Sequence, residues 1–552
     1  MKRFIEENTG DHYDVVIIGG GITGAAVAYE AASRGLKVAL VEKNDFSSAT
    51  SAATSKLIHG GLRYLANMEF SLVRESLKER KVLEDIAPNF VYPFPMLMTH
   101  YKSSIKNSKW VVKAGLTLYD ILSYDRGSTW DKSKKIPLHK TISTKKALSM
   151  QPRLREEDLT GASVFYDCMS IFPERLTLAF IKSAVAFGAH VANYARTDGF
   201  LFDEDSNVAG VAVTDVLHDT KHEVRGDITI NCGGPWADII LGLAKPEGAN
   251  ETLRRSEGIH IITKKKTDES CVVGAMSEKG RHFFLIPWRG HTLIGTTDKE
   301  FVGSPDEYRV TKQSIVELID EVNSTLGDGF IKFEDVLFTY GGLRPLVEDQ
   351  TEGTYESSRK YEIYDNAAED LDGLVTVEGG KYTTSRNLAE NVMELVWKKT
   401  SKPIGKTISD RRYLKGCEIR DMDAFRASLH QKHPDFGSDT LDYLGSNYGA
   451  ECEKVLAIAR KNKKFAEPVS GNGEILAEVV FAIREEMALR LSDILFRRTG
   501  IATLGNPGMD ILEKVAKIAA KELKWSKKRM REEIKLSVDR LKIPEDETAT
   551  AV

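Results

Sequence analysis

The sequence predicts an α/β protein that ends in a separate α-helical domain, and three observations lead to this prediction. A strand, a glycine-rich turn, a helix and a second strand follow one another within residues 13–43. Two later strands also run into glycine pairs that precede helices, which is typical of a parallel sheet completed by distant segments. Beyond residue 403 the strand patterns are replaced by helical ones.

The first of these observations indicates a dinucleotide site. A short β-branched run is followed by Gly19, Gly21 and Gly24 in a G-x-G-x-x-G spacing. The first glycine permits the tight turn, the second lets backbone amides approach a pyrophosphate, and the third lets the helix pack on the strand. Glu42 ends the second strand, close to the spacing expected of a carboxylate that binds a ribose diol, and its charge disfavours a 2′-phosphate. The pattern therefore predicts a Rossmann-like fold.

The remaining strands divide the region of residues 12–400 into two interleaved domains. A strand before Gly233-Gly234 and another before Gly379-Gly380 complete the nucleotide-binding sheet in this interpretation, so that domain is discontinuous. The predicted segments of the nucleotide-binding domain are about 12–85, 161–237 and 346–400. The β-rich substrate domain takes about 86–160 and 238–345, and the helical domain takes 403–552, with helices near 451–460, 473–498, 509–523 and 527–541.

Composition excludes several classes of protein. The net charge of −4 gives no reason to expect nucleic-acid binding. The five cysteines are scattered without metal-ligand spacing, which favours a reducing compartment and predicts no metal site. No apolar run approaches the roughly 18 residues of a spanning helix, and the first dozen residues lack the apolar core of a secretory signal. We therefore expect a soluble or peripherally attached protein.

Two stretches just beyond the nucleotide motif could line a bulky cofactor. Residues 46–56 are rich in Ser, Thr and Ala, and residues 57–65 read LIHGGLRYL. Their hydroxyls, amides and double glycine suit cofactor contacts, although a Ser/Thr-rich loop that caps a helix has the same composition. A helical pattern follows and ends before Pro88. The Pro-rich segment near Tyr92 and the basic, aromatic region 110–124 indicate a departure into another layer.

Several motifs together resemble one known family. In order they are IIGGGITGAAVA, TSKLIHGGLRYL, NCGGPW, GIHII, IGTTD, GLRPL and GGKYTT. They are similar to the motifs of the FAD-dependent glycerol-3-phosphate dehydrogenases, which have a D-amino-acid-oxidase-like flavoprotein fold. The resemblance covers roughly residues 13–400, and LSDILFRRTG in the tail resembles the family's C-terminal domain. KLIHGGLRYL is the most specific of these motifs.

This resemblance implies FAD as the cofactor and residues that hold it. Gly19, Gly21, Gly24 and Glu42 would bind the ADP half, and Gly233 lies in the later glycine turn. The residues implied along the flavin are Ser55, His59, Gly60 and Gly61, and those implied to close over its pyrimidine end are Gly380, Lys381, Tyr382 and Thr383.

The resemblance also implies the reaction, which is oxidation of sn-glycerol 3-phosphate to dihydroxyacetone phosphate with electrons passed to a quinone. Arg63, His260, Arg344 and Lys381 match the family's substrate site. His260 is the natural base, because an imidazole titrates near neutral pH, but Arg63 could instead polarise the alkoxide. The arginine fork of Arg344 suits phosphate oxygens, and Lys381 could reach phosphate or the flavin.

Two departures from the family pattern affect the surroundings of these residues. Phe172-Pro173-Glu174 stands where the family usually has an acidic pair before Ala-Arg-Leu. Asn231-Cys-Gly-Gly replaces the usual Asn-Ala-Thr-Gly. Neither departure removes a charged group that the implied chemistry requires, but the first leaves the geometry near the flavin open.

Three functions remain open at this stage. The first is the quinone-linked dehydrogenase, the second is an oxidase that makes hydrogen peroxide from oxygen, and the third is a flavin-binding protein without activity. Known oxidases of this group carry an internal insertion that this sequence lacks. The basic, amphipathic stretch 514–542 is either a solvated face or a contact with an anionic membrane surface. We expect a cytoplasmic enzyme that is peripheral on the membrane, binds glycerol 3-phosphate and a quinone, and forms a homodimer.

Overall fold

The computed structural model describes residues 1–6, 10–65, 67–102, 108–245, 253–277, 281–347, 360–400 and 402–545. The strands in this part of the chain are β1 (His12–Ile18), β2 (Val38–Val41), β3 (Leu57–Ile58), β4 (Val91–Tyr101), β5 (Lys140–Ile142), β6 (Leu159–Ser170), β7 (His190–Ala192), β8 (Ala195–Phe202), β9 (Val208–Asp215), β10 (Thr220–Asn231), β11 (Arg254–Lys264), β12 (Val272–Met276), β13 (His282–Trp288), β14 (His291–Gly295), β15 (Lys299–Phe301), β16 (Val336–Leu346), β17 (Tyr361–Asp365) and β18 (Leu374–Gly379).

The α-helices of the described residues are α1 (Ile22–Ser33), α2 (Phe70–Ile86), α3 (Lys109–Leu122), α4 (Thr144–Met150), α5 (Pro173–Ala186), α6 (Ala237–Gly242), α7 (Lys312–Leu326), α8 (Ser385–Lys399), α9 (Met422–Lys432), α10 (Ser438–Tyr448), α11 (Cys452–Lys461), α12 (Ala477–Glu486), α13 (Leu491–Asp493), α14 (Met509–Glu522) and α15 (Lys527–Leu541). None of them is long and apolar enough to cross a bilayer.

The first sheet has a parallel centre in the order β18-β10-β1-β2-β7, with β17 antiparallel at one edge. Strand β1 is fully buried from Val15 to Ile18, as its β-branched run predicts for a strand covered on both faces. The Ala-rich α1 lies against it and contacts α5 and α8. β8 and β9 form an antiparallel extension that joins β10. The predicted discontinuous parallel sheet and the α/β fold class are confirmed.

The second sheet is mixed and runs in the order β15-β11-β14-β13-β12-β4-β6-β3, with β16 on β11 and β5 on β6. Strand β4 contains Pro93 and Pro95, which pair with β6 on one side. On its other side β4 meets β12 only from Met96 onward, so the missing proline N–H groups lie where no strand requires them. The Pro-rich segment is therefore a strand of this sheet.

The sheet memberships differ in two places from the predicted segments. Strand β6 lies in a segment predicted for the nucleotide-binding domain, but it pairs with β4 in the second sheet. β3, within residues 12–85, also pairs with β6. Residues 348–359 of the last predicted segment lie outside the described residues, as do residues 103–107, 246–252, 278–280 and 546–552 of the others.

The C-terminal region is helical as predicted, but the single helix expected over 473–498 is wrong. Helix α12 ends at Glu486, and Met487 follows in the left-handed conformation with φ 56°. After the short α13, a π-helical turn spans Ile494–Arg498. Before the break, Glu486 forms a buried ion pair with Arg175 of α5, and after it Arg497 and Arg498 form buried ion pairs with Asp45 in the loop after β2. Helices α3, α4, α9 and α10 were not predicted.

Candidate functional site

One large cavity lies where the carboxyl ends of the parallel strands meet. Its volume is about 1420 Å³, and its walls include the residues that follow β1, β2, β10 and β18. Ligands of open α/β sheets bind at this edge because the loops there converge and the helix N-termini point toward it. The opposite wall is formed by the second sheet, so the cavity lies between the two sheets.

The glycine turn after β1 forms one end of the cavity. Gly19 has φ 106°, and a side chain on Gly21 would meet the Ser51 hydroxyl at 3.2 Å. The Glu42 carboxylate accepts a hydrogen bond from the Gly20 amide at 2.6 Å and another from the Asn44 amide at 2.8 Å. Burial raises the pKa of Glu42 despite these bonds. The turn and the carboxylate are thus fixed to each other at the position predicted for the ribose.

Two predicted cofactor residues, Gly24 and Gly60, do not line the cavity. A side chain on Gly24 would lie 1.9 Å from the Gly19 carbonyl oxygen, so this glycine allows α1 to pack on the turn. A side chain on Gly60 would lie 2.4 Å from the Tyr119 hydroxyl, and the Gly60 amide donates to Asp167 at 3.2 Å. Both glycines therefore lie behind the cavity wall, where they allow neighbouring segments to pack closely.

The Ser/Thr-rich loop connects the two walls. Thr50 donates to the Leu343 carbonyl at 2.6 Å, and Tyr340 donates to the Thr54 carbonyl at 2.8 Å. Beyond it, Lys56 forms a buried ion pair with Glu174 at 2.6 Å. Glu174 belongs to the Phe172-Pro173-Glu174 departure, so the chain still supplies an acid at the start of α5, and that acid holds the loop.

Strands β11 and β16 present the predicted substrate residues on one face. His260 pairs with Tyr340 and Ser256 pairs with Arg344 in the register of these strands. Because side chains alternate between the faces of a strand, all four side chains lie on one face, and those of His260 and Arg344 line the cavity. Gly258 lies between the two paired positions, and a side chain there would be 1.9 Å from the Arg344 guanidinium. The glycine leaves the space that the arginine occupies.

His260 is almost completely buried at 1% exposure. Its Nε2 atom lies 2.8 Å from the Ser55 hydroxyl, and its ring stacks on Tyr340 with centroids 5.0 Å apart. Burial lowers the pKa of His260 well below its usual value, and the nearby cations Arg344 and Lys56 lower it further. The imidazole is therefore neutral near pH 7, which is the form that accepts a proton.

Arg344 is held by polar groups of the loop after β14. Its guanidinium donates to the Thr296 hydroxyl at 2.7 Å and to the Thr297 carbonyl at 3.1 Å. Asp298 lies 3.6 Å away and accepts a bond from the Ser256 hydroxyl at 2.6 Å. These contacts fix the plane of the fork, and a quarter of the side chain remains exposed to the cavity.

Two further cations line the cavity at the end opposite the glycine turn. Lys381 and Arg63 both lie over the Tyr64 ring, each 4.8 Å from its centroid. Burial lowers the pKa of Lys381 to about 8, with Glu75 opposing and Arg63 adding to the shift. Lys381 also donates to the Ser76 hydroxyl. His59 beside them has a pKa lowered to about 4, mainly by burial.

The remaining predicted residues close this end of the cavity. Gly61, Gly233, Gly380, Tyr382 and Thr383 all line it. The Thr383 hydroxyl accepts from the His59 amide at 3.4 Å, which joins the loop after β18 to the LIHGG segment. Tyr382 instead reaches α5, where it donates to the Pro173 carbonyl at 2.5 Å. The cavity therefore brings together every predicted site residue except Gly24 and Gly60.

The structure adds residues that the sequence reasoning did not select. Asp298 and Ser256 support Arg344, Tyr340 supports His260, and Gly258 and Gly295 provide space for these two side chains. Asp298 ends the IGTTD motif, so a sequence signal was present. Gly258 and Gly295 also fall within motifs, GIHII and IGTTD, but the need for a glycine there arises from side chains on neighbouring strands.

The cavity fits FAD. Its walls extend from the Glu42 carboxylate to Lys381 and include Gly19 and Gly21 of the glycine turn, where backbone amides can approach a pyrophosphate. When bound, Glu42 and the turn would hold the adenosine half, and the LIHGG and Gly379–Thr383 segments would hold the flavin half.

Comparisons with known proteins agree with this fit. Residues 14–385 match the family model described as FAD dependent oxidoreductase, and residues 407–530 match the C-terminal domain of alpha-glycerophosphate oxidase. A Synechocystis protein named glycerol-3-phosphate dehydrogenase is 33% identical over 97% of each chain. The aerobic glycerol-3-phosphate dehydrogenase of Staphylococcus aureus is 32% identical over 90% of this chain and 89% of its own.

Solved structures give the same result. The Bacillus halodurans glycerol-3-phosphate dehydrogenase complexed with FAD superposes with a TM-score of 0.79 and 26% identity, covering 99% of this chain and 98% of the other. The Mycoplasma pneumoniae L-alpha-glycerophosphate oxidase, at 16% identity and a TM-score of 0.54, shares the fold over 73% of this chain and 99% of its own. The chain belongs to the FAD-dependent oxidoreductases of the glycerol-3-phosphate dehydrogenase family, and its cofactor is FAD.

Proposed function

We propose that this enzyme oxidises sn-glycerol 3-phosphate to dihydroxyacetone phosphate. The observation that supports this most strongly is the presence of three cations, Arg63, Arg344 and Lys381, in the same cavity as a buried neutral histidine. A phosphate monoester carries close to two negative charges at neutral pH and binds best to such groups. The named relatives act on this substrate, which agrees with the charge of the cavity.

In the proposed reaction, the cations bind the phosphate and orient the glycerol carbons. Bound FAD supplies an acceptor for the hydride that leaves the secondary alcohol carbon. His260 takes the hydroxyl proton, because its imidazole is neutral and lies on the cavity wall. The Ser55 hydroxyl beside it helps to orient the ring. Arg344, held in place by its contacts to the Thr296–Asp298 loop, fixes one end of the substrate.

A substrate comparison tests this proposal. Glycerol has the same alcohol groups without the phosphate, so it loses the contacts to all three cations. We expect kcat/KM to fall by several orders of magnitude for glycerol, and inorganic phosphate to compete with glycerol 3-phosphate. Equal turnover of both alcohols would contradict the assignment.

We further propose that the reduced enzyme passes its electrons to a quinone at an anionic membrane surface. Helix α3 at the mouth of the cavity supports this proposal. Its Val111 lines the cavity, while the side chains of Trp110 and Ile121 on the same helix are 74% and 62% exposed to solvent. Lys109 and Lys113 are exposed on this helix. Exposed aromatic and aliphatic side chains flanked by lysines are typical of an interfacial helix.

The basic stretch 514–542 is a weaker candidate for this contact. Several of its cations pair with acids, including Lys514 with Glu467 and Lys542 with Asp539. A test compares Trp110→Ser combined with Ile121→Ser against Lys527→Glu combined with Lys528→Glu. We expect only the first pair of substitutions to abolish binding to anionic vesicles. Loss of binding in only the second pair would assign the contact to the C-terminal helices.

The homodimer stays a prediction that gel filtration tests.

The acceptor is tested by comparing turnover with a soluble quinone analogue against peroxide production in air. We expect the quinone reaction to be much faster. Stoichiometric peroxide at an equal rate would instead support the oxidase, which is the second candidate function.

A further inference from the structure

A buried cluster of charged side chains connects the C-terminal domain to the first sheet. Arg498 contacts both oxygens of Asp45, at 2.9 and 2.7 Å, and Arg497 reaches the same carboxylate at 2.6 Å. Arg497 also donates to Asp493 at 2.6 Å. All four side chains are at most 4% exposed. Such a cluster in the interior requires every charge to be paired.

Asp45 lies in the loop that supports the glycine turn. This loop begins at Glu42, whose carboxylate holds the Gly20 amide, and its Ser47 amide donates to the Gly20 carbonyl at 3.0 Å. The ring of Phe46 lies against Gly20, where a side chain would come within 2.7 Å of it. The turn is therefore held on both its amide and its carbonyl by the segment that contains Asp45.

Residues 487–498 of the C-terminal domain also bond to a second segment beside Glu42, residues 193–195. Asn193 donates to Asp45 at 3.0 Å and to the Met487 carbonyl at 3.0 Å, and Tyr194 donates to Asp493 at 2.6 Å. The next residue, Ala195, lines the cavity and donates its amide to the Glu42 carbonyl at 2.8 Å. Both segments around the carboxylate are thus tied to residues 487–498.

The charge of Asp45 is essential to this arrangement. Burial alone would raise the pKa of Asp45, but Arg498 and Arg497 outweigh burial and lower it to about 2. The carboxylate is ionised at every pH at which the enzyme would work. The two arginines stay charged as well, so the pairing is permanent rather than a pH switch.

We propose that the C-terminal helical domain is a positioning part of the FAD site, in which Arg497 and Arg498 hold the Glu42–Ser47 loop through Asp45. The two arginines bond to Asp45 and not to the glycine turn itself. The domain therefore acts on the turn indirectly, by fixing the loop that carries Glu42. This explains why the chain breaks the helix after Glu486, since the break directs Arg497 and Arg498 toward Asp45. The proposal concerns FAD affinity and does not depend on the identity of the substrate.

The test uses the full chain with Asp45→Asn, which keeps the size of the side chain and removes its charge, and with Arg498→Lys, which keeps the charge and loses the fork. Apoprotein is titrated with FAD, and binding is followed by quenching of FAD fluorescence. We expect the Kd for FAD to rise about tenfold or more in both variants, because two charge-assisted contacts are lost or misdirected.

Arg289→Lys is the matched control. Arg289 is also a buried arginine that joins the two parts of the chain, through Glu474 and through the Gly500 carbonyl, but it lies on the second sheet away from Glu42. We expect it to lower the melting temperature without changing the Kd for FAD. An equal rise in Kd for Arg289→Lys would overturn the proposal, since any loss of domain contact would then suffice.

A second measurement covers variants that are partly unfolded. Bound FAD raises the melting temperature according to its concentration relative to Kd. The increment on adding FAD should be smaller in Asp45→Asn than in the wild type, and unchanged in Arg289→Lys. Wild-type increments in both Asp45→Asn and Arg498→Lys would contradict the positioning role.

Discussion

At the scale of single residues, three of the cations that line the cavity, Arg63, Arg344 and Lys381, are held in different ways. Arg344 is fixed by a strand pair and a loop, whereas Arg63 and Lys381 share the face of one tyrosine. The fixed fork of Arg344 favours bidentate contact with phosphate, whereas Lys381, which donates to the Ser76 hydroxyl, offers a single ammonium group. Arg344 is therefore the residue whose loss should most affect substrate affinity.

Replacement of Arg344 by alanine tests this role. Loss of charge-assisted hydrogen bonds to a dianion predicts a KM for glycerol 3-phosphate that is higher by about 10–100-fold. FAD content should stay at the wild-type level, because Glu42 and the glycine turn are untouched. Arg225→Ala, which removes an exposed arginine of β10, serves as the control. An unchanged KM in Arg344→Ala would exclude Arg344 from the phosphate site.

The lowered pKa of Lys381 predicts a pH dependence. Burial lowers this pKa to about 8. Below this pH the amine is charged and attracts phosphate, and above it the charge is lost. The substrate phosphate is already a dianion above about pH 6, so its ionisation does not interfere. We expect kcat/KM to decline above pH 8, and the decline to shift to higher pH in Lys381→Arg.

At the scale of secondary-structure elements, strands β11 and β16 place His260 and Arg344 on one face, and glycines leave the space around them. Gly258→Ala should displace the Arg344 guanidinium, because the added methyl would lie 1.9 Å from it. We expect a higher KM with FAD retained. Gly274→Ala on β12 is a matched control, since the nearest atom to its added methyl is an ordinary 3.5 Å away. Equal effects of both substitutions would contradict the argument.

The elements also show what the sequence could predict. Val15–Ile18, the glycine turn and Glu42 are local patterns whose geometry depends on a few neighbouring residues, so their positions followed from the sequence. The strand at Pro93 and Pro95 did not, because prolines are tolerated there only where β4 lacks a second neighbour. Likewise, the arginines that follow the break after Glu486 bond to Asp45, which is more than 400 residues away in the chain, so no local pattern indicates this contact.

The same distinction applies to the site. His260, Arg344 and Lys381 were selected through their motifs, and the structure places all three on one cavity. Their supports Asp298 and Gly258 lie in the IGTTD and GIHII motifs but were not selected, because they act through pairing between strands that no local pattern specifies. The Glu174 departure was recognised, but its partner Lys56 became apparent only from the packing of α5 against the Ser/Thr-rich loop.

At the scale of the whole molecule, the C-terminal domain contains a buried acid that opposes folding at high pH. Burial raises the pKa of Glu478 to about 8, and Glu474 adds to the shift. Between its usual pKa and 8, the unfolded chain has released this proton while the folded chain retains it. The free energy of unfolding therefore decreases as the pH rises through this window.

Glu478→Gln should remove this pH dependence. The amide stays neutral in both states, so the variant should resemble the wild type at pH 4.5 and be more stable by about 2–4 kcal/mol at pH 8. Urea unfolding at the two pH values measures the difference, and Glu485→Gln on the exposed face of the same helix is the control. A variant that is less stable at pH 8 would show that Glu478 is ionised in the folded protein.

The enzyme binds FAD in this cavity and uses it to oxidise glycerol 3-phosphate. The most direct measurement is anaerobic mixing of the purified holoenzyme with glycerol 3-phosphate while the absorbance of oxidised flavin is recorded. Rapid and complete loss of that absorbance, with dihydroxyacetone phosphate formed in equal amount and no loss on mixing with glycerol, is the predicted result. Flavin that remains oxidised in the presence of glycerol 3-phosphate would contradict this activity.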